Sequence, residues 1–251
     1  MARNDLKGKV VLIAGGAKNL GGLLSRSFAE KGANLAIHYN SEGARVDAEK
    51  TLADVKAAGA KAFLFQGDLT KVANVTKFFD EAVATLGGID IAVNTVGMVL
   101  KKPFVETTEA EYDTMFAVNS KAAYFFLQEA GKKLNDNGKV CTIVTSLLAA
   151  YTGLYSTYAG AKSPVEHFTR AASKEFGARG ISVTAVAPGP MDTPFFYPAE
   201  TKDSVSYHTA ASALGGLTNI KDIAPLVEFL VTDGWWITGQ TIFANGGYTT
   251  R

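Results

Sequence analysis

The chain has 251 residues, of which 47% are hydrophobic and 20% charged, so it has the composition of a globular protein with a sizeable core. Its formal net charge of +1 argues against nucleic acid or an anionic membrane surface as the main partner. A single cysteine, Cys141, excludes an internal disulfide, and no apolar run approaches the ~20 residues of a membrane helix.

Seven short apolar runs predict seven β-strands, at residues 10–14, 35–39, 62–66, 89–94, 140–145, 182–187 and 241–244. Most are continuous rather than alternating, as expected for strands covered on both faces. Helical periods separate them, for example at Val75, Phe78, Phe79 and Ala82. This alternation predicts the α/β class: one domain, residues 1–251, with a doubly wound parallel sheet of the Rossmann type and helices on both faces. Ligands bind beyond the carboxyl ends of such strands.

A glycine-rich segment, residues 14–22, joins the first predicted strand to a helix. Glycines allow a tight turn and a close approach of the backbone to a pyrophosphate, and the helix N-terminus offers N–H groups to it. Asn19 stands where a glycine is expected, but asparagine tolerates positive φ better than most residues. The sequence therefore predicts a dinucleotide phosphate loop here.

Tyr158 and Lys162 are one helical turn apart and would share a helix face. Tyrosine has an ordinary pKa of about 10, so proton transfer near neutral pH needs a nearby positive charge that favours the phenolate. Alone, such a pair is more often an exposed helix pair. Its position after a predicted nucleotide-binding sheet favours a catalytic role.

Further motifs follow the later strands in order: Asp68-Leu69, Asn94-Thr95-Val96-Gly97, Asn119, Pro188-Gly189 with Thr193, and Asn245-Gly246-Gly247. With the glycine loop and Tyr158-x-x-x-Lys162, they make the chain resemble the short-chain dehydrogenase/reductase family from residue 10 to residue 247. The resemblance is to its carbonyl reductases of the 3-oxoacyl-ACP reductase type. At residues 95 and 96 the chain departs from the family's usual Asn-Ala.

The resemblance implies a nicotinamide cofactor. The residues implied to bind it are Gly15, Lys18, Asn19, Leu20, Gly21, Tyr39, Asn40, Ser41, Asp68, Leu69, Asn94, Gly97, Tyr158, Lys162, Pro188, Gly189 and Thr193.

The end of the second strand favours NADP(H) over NAD(H). Tyr39 occupies the position where NAD-preferring relatives carry an acid for the ribose 2′-hydroxyl. Lys18 lies where NADP-preferring relatives carry a basic residue, and Arg45 adds charge nearby. Glu42 is a contrary signal, because it could turn toward the ribose.

The resemblance also implies the catalytic residues Asn119, Ser146, Tyr158 and Lys162. Tyr158 would be the general acid in reduction and the base in oxidation. Lys162 would hold the nicotinamide ribose and lower the tyrosine pKa, and Asn119 would hold a water that joins Lys162 to solvent. A serine would orient the substrate oxygen.

Two adjacent hydroxyls compete for that last role. The usual interval to the tyrosine points to Thr145, whereas the Ser146-Leu147-Leu148-Ala149 continuation and the interval from Asn119 point to Ser146. Ser146 is preferred.

Residues 194–216 break the periodic pattern and correspond to the family's substrate lid. Aromatic and apolar residues there and elsewhere predict a largely apolar pocket: Phe195, Phe196, Tyr197, Tyr207, Met98, Leu147, Leu148, Tyr151 and Met191. The predicted partner is a small carbonyl or alcohol substrate, with no nucleic acid, no membrane and no metal. The resemblance implies a homotetramer, and the single cysteine and polar N-terminus predict a cytoplasmic location.

The alternative function is a non-catalytic NADP(H) sensor or structural protein, although such relatives tend to lose the tyrosine or the lysine. Enoyl reductases of this family normally have a wider tyrosine-to-lysine gap than the four residues found here.

Overall fold

A computed structural model describes residues 5–250; residues 1–4 and 251 of the predicted domain lie outside the described residues. Its strands are β1 (Val10–Ala14), β2 (Asn34–Tyr39), β3 (Ala62–Gln66), β4 (Ile91–Asn94), β5 (Lys139–Ile143), β6 (Ser182–Pro188) and β7 (Thr241–Ala244). They form one parallel sheet in the order β3-β2-β1-β4-β5-β6-β7. The predicted doubly wound parallel sheet is confirmed.

Two strand boundaries differ from the prediction by two residues, each for a local reason, and the other differences are of one residue. The strand predicted at 89–94 begins at Ile91, because Gly87 and Gly88 turn the chain with positive φ and the Ile89 carbonyl accepts from Asn135. The strand predicted at 140–145 ends at Ile143. Beyond it, the Thr145 side chain accepts from the Leu147 N–H at 3.3 Å and begins a 3₁₀ turn, Ser146–Ala149.

Eight α-helices in the described part of the chain surround the sheet: α1 (Asn19–Glu30), α2 (Arg45–Ala57), α3 (Val72–Leu86), α4 (Glu109–Phe116), α5 (Ala122–Lys133), α6 (Ser156–Phe176), α7 (Lys202–Ala211) and α8 (Ile220–Val231). One turn of π-helix, Ala117–Lys121, joins α4 to α5. It contains Asn119. The α7 helix and a 3₁₀ turn, Tyr197–Ala199, lie within residues 194–216.

Alternate residues of each strand face opposite layers of helices. Val11 and Ile13 pack in one core with side chains of α1 and α8, including Phe28. Leu12 and Ala14 pack in the other with α3 and α5. Because both faces are covered, most strand residues on either face are apolar, as the sequence predicted.

The carboxyl ends of all seven strands lie along one edge of the sheet, and the predicted site residues follow them. Within residues 5–250, no helix is both long and apolar enough to cross a membrane. The same residues contain no group of three or more His, Cys, Asp or Glu side chains placed to hold a metal ion.

Candidate active site

The glycine loop between β1 and α1 has the backbone conformation that the sequence predicted. Gly15 has φ +75° and Asn19 has φ +50°, so the asparagine accepts the left-handed region. A Cβ atom at Gly21 would lie 2.1 Å from the Gly15 carbonyl oxygen, which leaves room for glycine alone. The loop is therefore a cradle that fits a pyrophosphate against bare backbone.

His38, on β2, joins this loop to the end of β3. Its Nδ1 accepts from the Gly15 N–H at 3.0 Å, and its Nε2 lies 2.7 Å from the Gly67 carbonyl oxygen. The proton therefore sits on Nε2, because Nδ1 faces a donor and Nε2 an acceptor. Burial lowers the His38 pKa to about 4. The sequence gives no sign of this role of His38, because nothing in a strand pattern shows where a ring nitrogen points.

The residues at the end of β2 differ in their availability to a ligand. Tyr39 is 7% exposed, packs with Ala17 and Ala48, and donates its hydroxyl to Gln66 at 3.2 Å. By contrast, Asn40 and Ser41 are exposed.

One exposed cation near this strand end is only loosely paired. The side chain of Lys18 is 55% exposed, and its nearest carboxylate, on Asp47, is 4.0 Å away. Glu42, the contrary signal, pairs with Arg45 at 3.1 Å on the exposed surface. Its charge is therefore compensated, and Lys18 is free to turn to a ligand.

Two polar residues after the next strands shape turns. The Asp68 carboxylate accepts from the Thr70 N–H and hydroxyl, and Leu69 beside it is buried. Burial raises the pKa of Asp68, but the Thr70 hydrogen bonds outweigh it, so the pKa lies below its usual range. The Asn94 side chain accepts from the Val96 N–H at 3.0 Å. These contacts fix the turns that follow β3 and β4.

At Thr95 the chain departs from the family's usual asparagine, and the hydroxyl compensates. It donates to the Ala14 carbonyl at 2.9 Å and lies 3.2 Å from the Gly15 carbonyl. Thr95 thus holds the start of the glycine loop.

The segment after β6 leaves a polar atom without a partner. The Thr193 hydroxyl is buried and has no hydrogen-bond partner among the described residues. Buried hydroxyls are normally paired, so this one is consistent with a ligand group. Pro188 and Gly189, at the end of β6, are also buried, and a Cβ at Gly189 would lie 2.6 Å from the Thr218 hydroxyl. The residues here fit the amide end of a nicotinamide.

Lys162, Asn119 and Gly97 converge below the carboxyl edge of the sheet. The Lys162 Nζ donates to the Val96 and Ile143 carbonyls at 3.1 and 3.0 Å. The Asn119 amide donates to the Met98 and Met115 carbonyls and accepts from the Met98 N–H. Asn119 therefore clamps the loop after β4, and the π-helical turn is what carries it there.

Tyr158 and Lys162 are both buried, and burial shifts each pKa toward the neutral form. The pKa of Tyr158 is raised to about 12, and a hydrogen bond from Thr145 acts in the opposite direction. The pKa of Lys162 is lowered to about 8. The predicted lowering of the tyrosine pKa by Lys162 is wrong for this structure, because the ammonium is directed to two carbonyl groups.

The two competing hydroxyls have different surroundings. Ser146 is 1% exposed, donates to the Ala187 carbonyl and accepts from the Asn245 side chain, both at 3.0 Å. Its single proton is thus used inside the protein. The Thr145 hydroxyl, by contrast, lies against Tyr158 and shifts the tyrosine pKa. The structure brings Thr145 to Tyr158 and directs the Ser146 hydroxyl elsewhere.

A cavity opens in front of Tyr158. Its apolar walls include Val99, Leu147, Met191, Phe195 and Phe196. Four of the predicted pocket residues line it: Phe195, Phe196, Leu147 and Met191. The other five do not line it; Tyr151 is fully exposed, and the Tyr197 hydroxyl donates to Asp192 at 2.6 Å.

A polar cluster centred on Glu200 forms the far side of the cavity. The Glu200 side chain is 1% exposed, and its carboxylate accepts hydrogen bonds from Lys101, Tyr155 and Ser204. His208 Nε2 lies 3.5 Å from the same carboxylate. Glu200 is not among the residues predicted from the sequence, because nothing in the sequence around an acid in this irregular segment indicates that it is buried.

Known proteins match this chain over nearly its whole length. The family model described as enoyl-(acyl carrier protein) reductase matches residues 15–249. Among curated proteins, the hydroxynaphthalene reductase-like protein Arp2 of Metarhizium brunneum is 33% identical over 261 aligned residues, covering 98% of this chain and 97% of the relative.

Two solved structures are more similar in sequence. A putative dehydrogenase from Burkholderia cenocepacia, with bound NADP, is 64% identical with a TM-score of 0.98, covering 100% of this chain and 97% of the other. A short-chain dehydrogenase from Oenococcus oeni is 54% identical with a TM-score of 0.78, covering 98% of both chains.

Proposed function

The chain belongs to the short-chain dehydrogenase/reductase family, and on that premise we propose that it reduces a carbonyl compound with NADPH. It is an NADP-dependent oxidoreductase of this family. The observation that carries the choice of reaction is the Tyr158 hydroxyl, which is protonated at neutral pH and lies at a cavity beside a second hydroxyl, that of Thr145.

The residues that would hold the cofactor are those whose backbone or polar side-chain atoms are available to bind a ligand. Gly15 and Gly21 provide the cradle for the pyrophosphate, and Lys18 provides a cation for the 2′-phosphate. Thr193 offers its unpaired hydroxyl. When bound, the cofactor supplies a hydride to the substrate carbon.

Tyr158 would supply the proton that the developing alkoxide needs. A phenol with a pKa of about 12 keeps its proton at neutral pH, so it is ready to donate in the direction of reduction. Lys162, still mostly charged at neutral pH with a pKa of about 8, would hold the nicotinamide ribose.

We propose Thr145 as the hydroxyl that orients the substrate oxygen. Its position against Tyr158 supports this role, since a donor must lie where the negative charge develops. Ser146, preferred on sequence, stays the alternative, because both residues line the cavity. Asn119 positions the loop that Lys162 contacts, and the water joining Lys162 to solvent stays a prediction.

Reduction of a carbonyl group fits the site better than reduction of an enoyl double bond, although the description of the matching family model is that of an enoyl reductase. The four-residue spacing from Tyr158 to Lys162 supports this choice. The Metarhizium relative is named hydroxynaphthalene reductase-like. The substrate of this chain is proposed by class only: a ketone or aldehyde with an apolar body, because the cavity walls are largely apolar.

The test is NADPH oxidation with a broad panel of ketones and aldehydes, comparing the wild type with Tyr158→Phe. We expect turnover by the wild type and a loss of at least about 100-fold in the variant. Undiminished turnover in Tyr158→Phe would refute the mechanism. Binding of NADPH without turnover of any compound would favour the sensor function instead.

The cofactor preference has its own test. The dissociation constants of NADPH and NADH are measured for the wild type and for Lys18→Glu. We expect NADPH to bind more tightly to the wild type, and the charge reversal to remove most of that difference. Equal affinities in the wild type would contradict the proposed role of Lys18.

We also propose the remaining architecture by family resemblance: residues 1–251 as one catalytic domain, residues 194–216 as the substrate lid, a homotetramer and a cytoplasmic location. Exposed aromatic side chains support a tetramer: Tyr124 on α5, Phe229 on α8, and Trp235 and Trp236 before β7. Light scattering of the purified chain tests the oligomeric state.

A further inference from the structure

The cavity has two polar ends, and the proposed function uses one of them. Thr145 and Tyr158 form the end where the carbonyl would react. At the other end Tyr155, Glu200, His208 and Tyr248 line the same cavity. Tyr155 lies close enough to Tyr158 and to Tyr248 for their charges to raise its pKa, so the two ends are near neighbours.

We propose that the second end binds a hydroxyl group of the substrate, and that Tyr248 determines this specificity. The substrate class is then a ketone or aldehyde that carries a hydroxyl group at the far side of an apolar body. This inference rests on the proposed carbonyl reduction.

The hydrogen bonds of the cluster leave one acceptor open. His208 Nε2 faces the Glu200 carboxylate at 3.5 Å, so Nε2 carries the ring proton. Nδ1 is then an acceptor, and the Tyr248 hydroxyl, 2.8 Å away, donates to it. No group among residues 5–250 donates to the Tyr248 oxygen. Its lone pairs are therefore available to a donor on a ligand.

The charges of the cluster favour a neutral group over an ionised one. The negative charge of Glu200 is paired with Lys101. Burial lowers the pKa of His208, so its ring is neutral at neutral pH, and burial raises the pKa of Tyr248 to about 12. A substrate carboxylate at this position would be repelled by the Glu200 carboxylate. It would also lack a donor from Tyr248, because the Tyr248 hydroxyl proton is already donated to His208. A hydroxyl can donate to Tyr248 without adding charge to a buried site.

The test uses four ketones with one skeleton. They are acetophenone, its 3-hydroxy and 4-hydroxy derivatives, and its 4-carboxylate. Each is assayed for NADPH oxidation and, as a competitive inhibitor, against whichever carbonyl compound the enzyme turns over. The measured quantity is the ratio of kcat/KM, or of inhibition constants, for hydroxylated over plain ketone. The wild type is compared with Tyr248→Phe, which loses only the hydroxyl. Tyr207→Phe is the matched control, because Tyr207 is an exposed neighbour of His208 outside the cavity lining.

We expect the ratio for at least one hydroxy isomer to fall about fivefold in Tyr248→Phe, the effect of one neutral hydrogen bond, and to stay unchanged in Tyr207→Phe. The carboxylate should be the weakest of the series. Intrinsic reactivity of the ketones cancels in the comparison of variant with wild type. A merely structural role of Tyr248 would lower the values for all compounds equally.

Equal ratios in the wild type and Tyr248→Phe, for both isomers, would overturn this inference alone. It would also be overturned if none of the compounds inhibited turnover of another carbonyl substrate. Failure of every carbonyl compound to oxidise NADPH would instead overturn the proposed function.

Discussion

Gly97 lies directly against the ammonium group of Lys162. A Cβ atom at residue 97 would be 3.2 Å from the Lys162 Nζ and 3.3 Å from the Asn119 Oδ1. Two of the proposed active-site side chains thus occupy the space that any other residue would need. The glycine after β4 is required by the positions of these groups, because its own conformation is not in the left-handed region.

Replacing Gly97 by Ala should therefore impair turnover more than stability. The added methyl group pushes on a buried ammonium that has two carbonyl partners, and small misplacements in an active site are costly. We expect kcat/KM for carbonyl reduction to fall about tenfold, with little change in the melting temperature. Gly177→Ala, where an added Cβ meets nothing within 4 Å, is the control. A drop in melting temperature without loss of turnover would contradict this assignment.

The two hydroxyls at 145 and 146 should respond differently to removal. Thr145→Val removes a donor beside Tyr158, so we expect kcat to fall about 100-fold. Ser146→Ala leaves the Asn245 amide with one partner fewer and the Ala187 carbonyl without its donor. We expect it to lower the free energy of unfolding by about 1–3 kcal/mol with a smaller effect on kcat. Steady-state kinetics and urea unfolding measure both, and the opposite pattern would restore Ser146 as the catalytic hydroxyl.

The pKa of Lys162 predicts a pH limit for catalysis. Because burial lowers this pKa to about 8, the lysine loses its charge as the pH rises through that value. We expect kcat/KM for reduction, which reports the free enzyme, to fall above about pH 8. The arginine in Lys162→Arg keeps its charge at all these pH values. We expect this variant to be less active than the wild type, with no decline of kcat/KM above about pH 8. The same decline in both proteins would assign it to another group.

The buried His38 makes stability depend on pH on the acid side. Its pKa is about 4 when folded and 6.5 when unfolded, so between these values the unfolded chain binds more protons and unfolding becomes easier as the pH falls. We expect the wild type to lose up to about 3 kcal/mol of unfolding free energy from this group between pH 6.5 and pH 4. The loss is absent in His38→Gln. Urea unfolding across this range tests it, and parallel pH profiles for the two proteins would contradict it.

The sequence predicted the fold well because the layers of this protein are periodic. The spacing of apolar residues predicts which side chains are buried. It does so for the continuous strand at 10–14 and for the helical stripe that contains Phe78 and Phe79. The boundaries of the strands are predicted less well. Thr145 leaves the strand because its own side chain caps a turn, which is a local hydrogen bond that residue type alone does not reveal.

The candidate site was predicted in its parts but not in its contacts. The spacing of Tyr158 and Lys162 predicted a shared helix face, but the direction of the ammonium depends on the carbonyls of Val96 and Ile143, which are remote in sequence. For the same reason His38 and Glu200 were missed. The thirteen-residue interval to Tyr158 was a usable signal for Thr145, and it was outweighed by the resemblance of the residues that follow Ser146.

The carboxylate of Glu200 has a consequence for mutagenesis. This one group accepts hydrogen bonds from three segments of the chain: from Lys101 in the loop after β4, Tyr155 before α6 and Ser204 in α7. Changes at these three positions are therefore not independent: once one partner is lost, the carboxylate rearranges and the next loss has a different effect. Effects measured one at a time will not sum, and combined variants are needed to learn how these three segments are held together through Glu200.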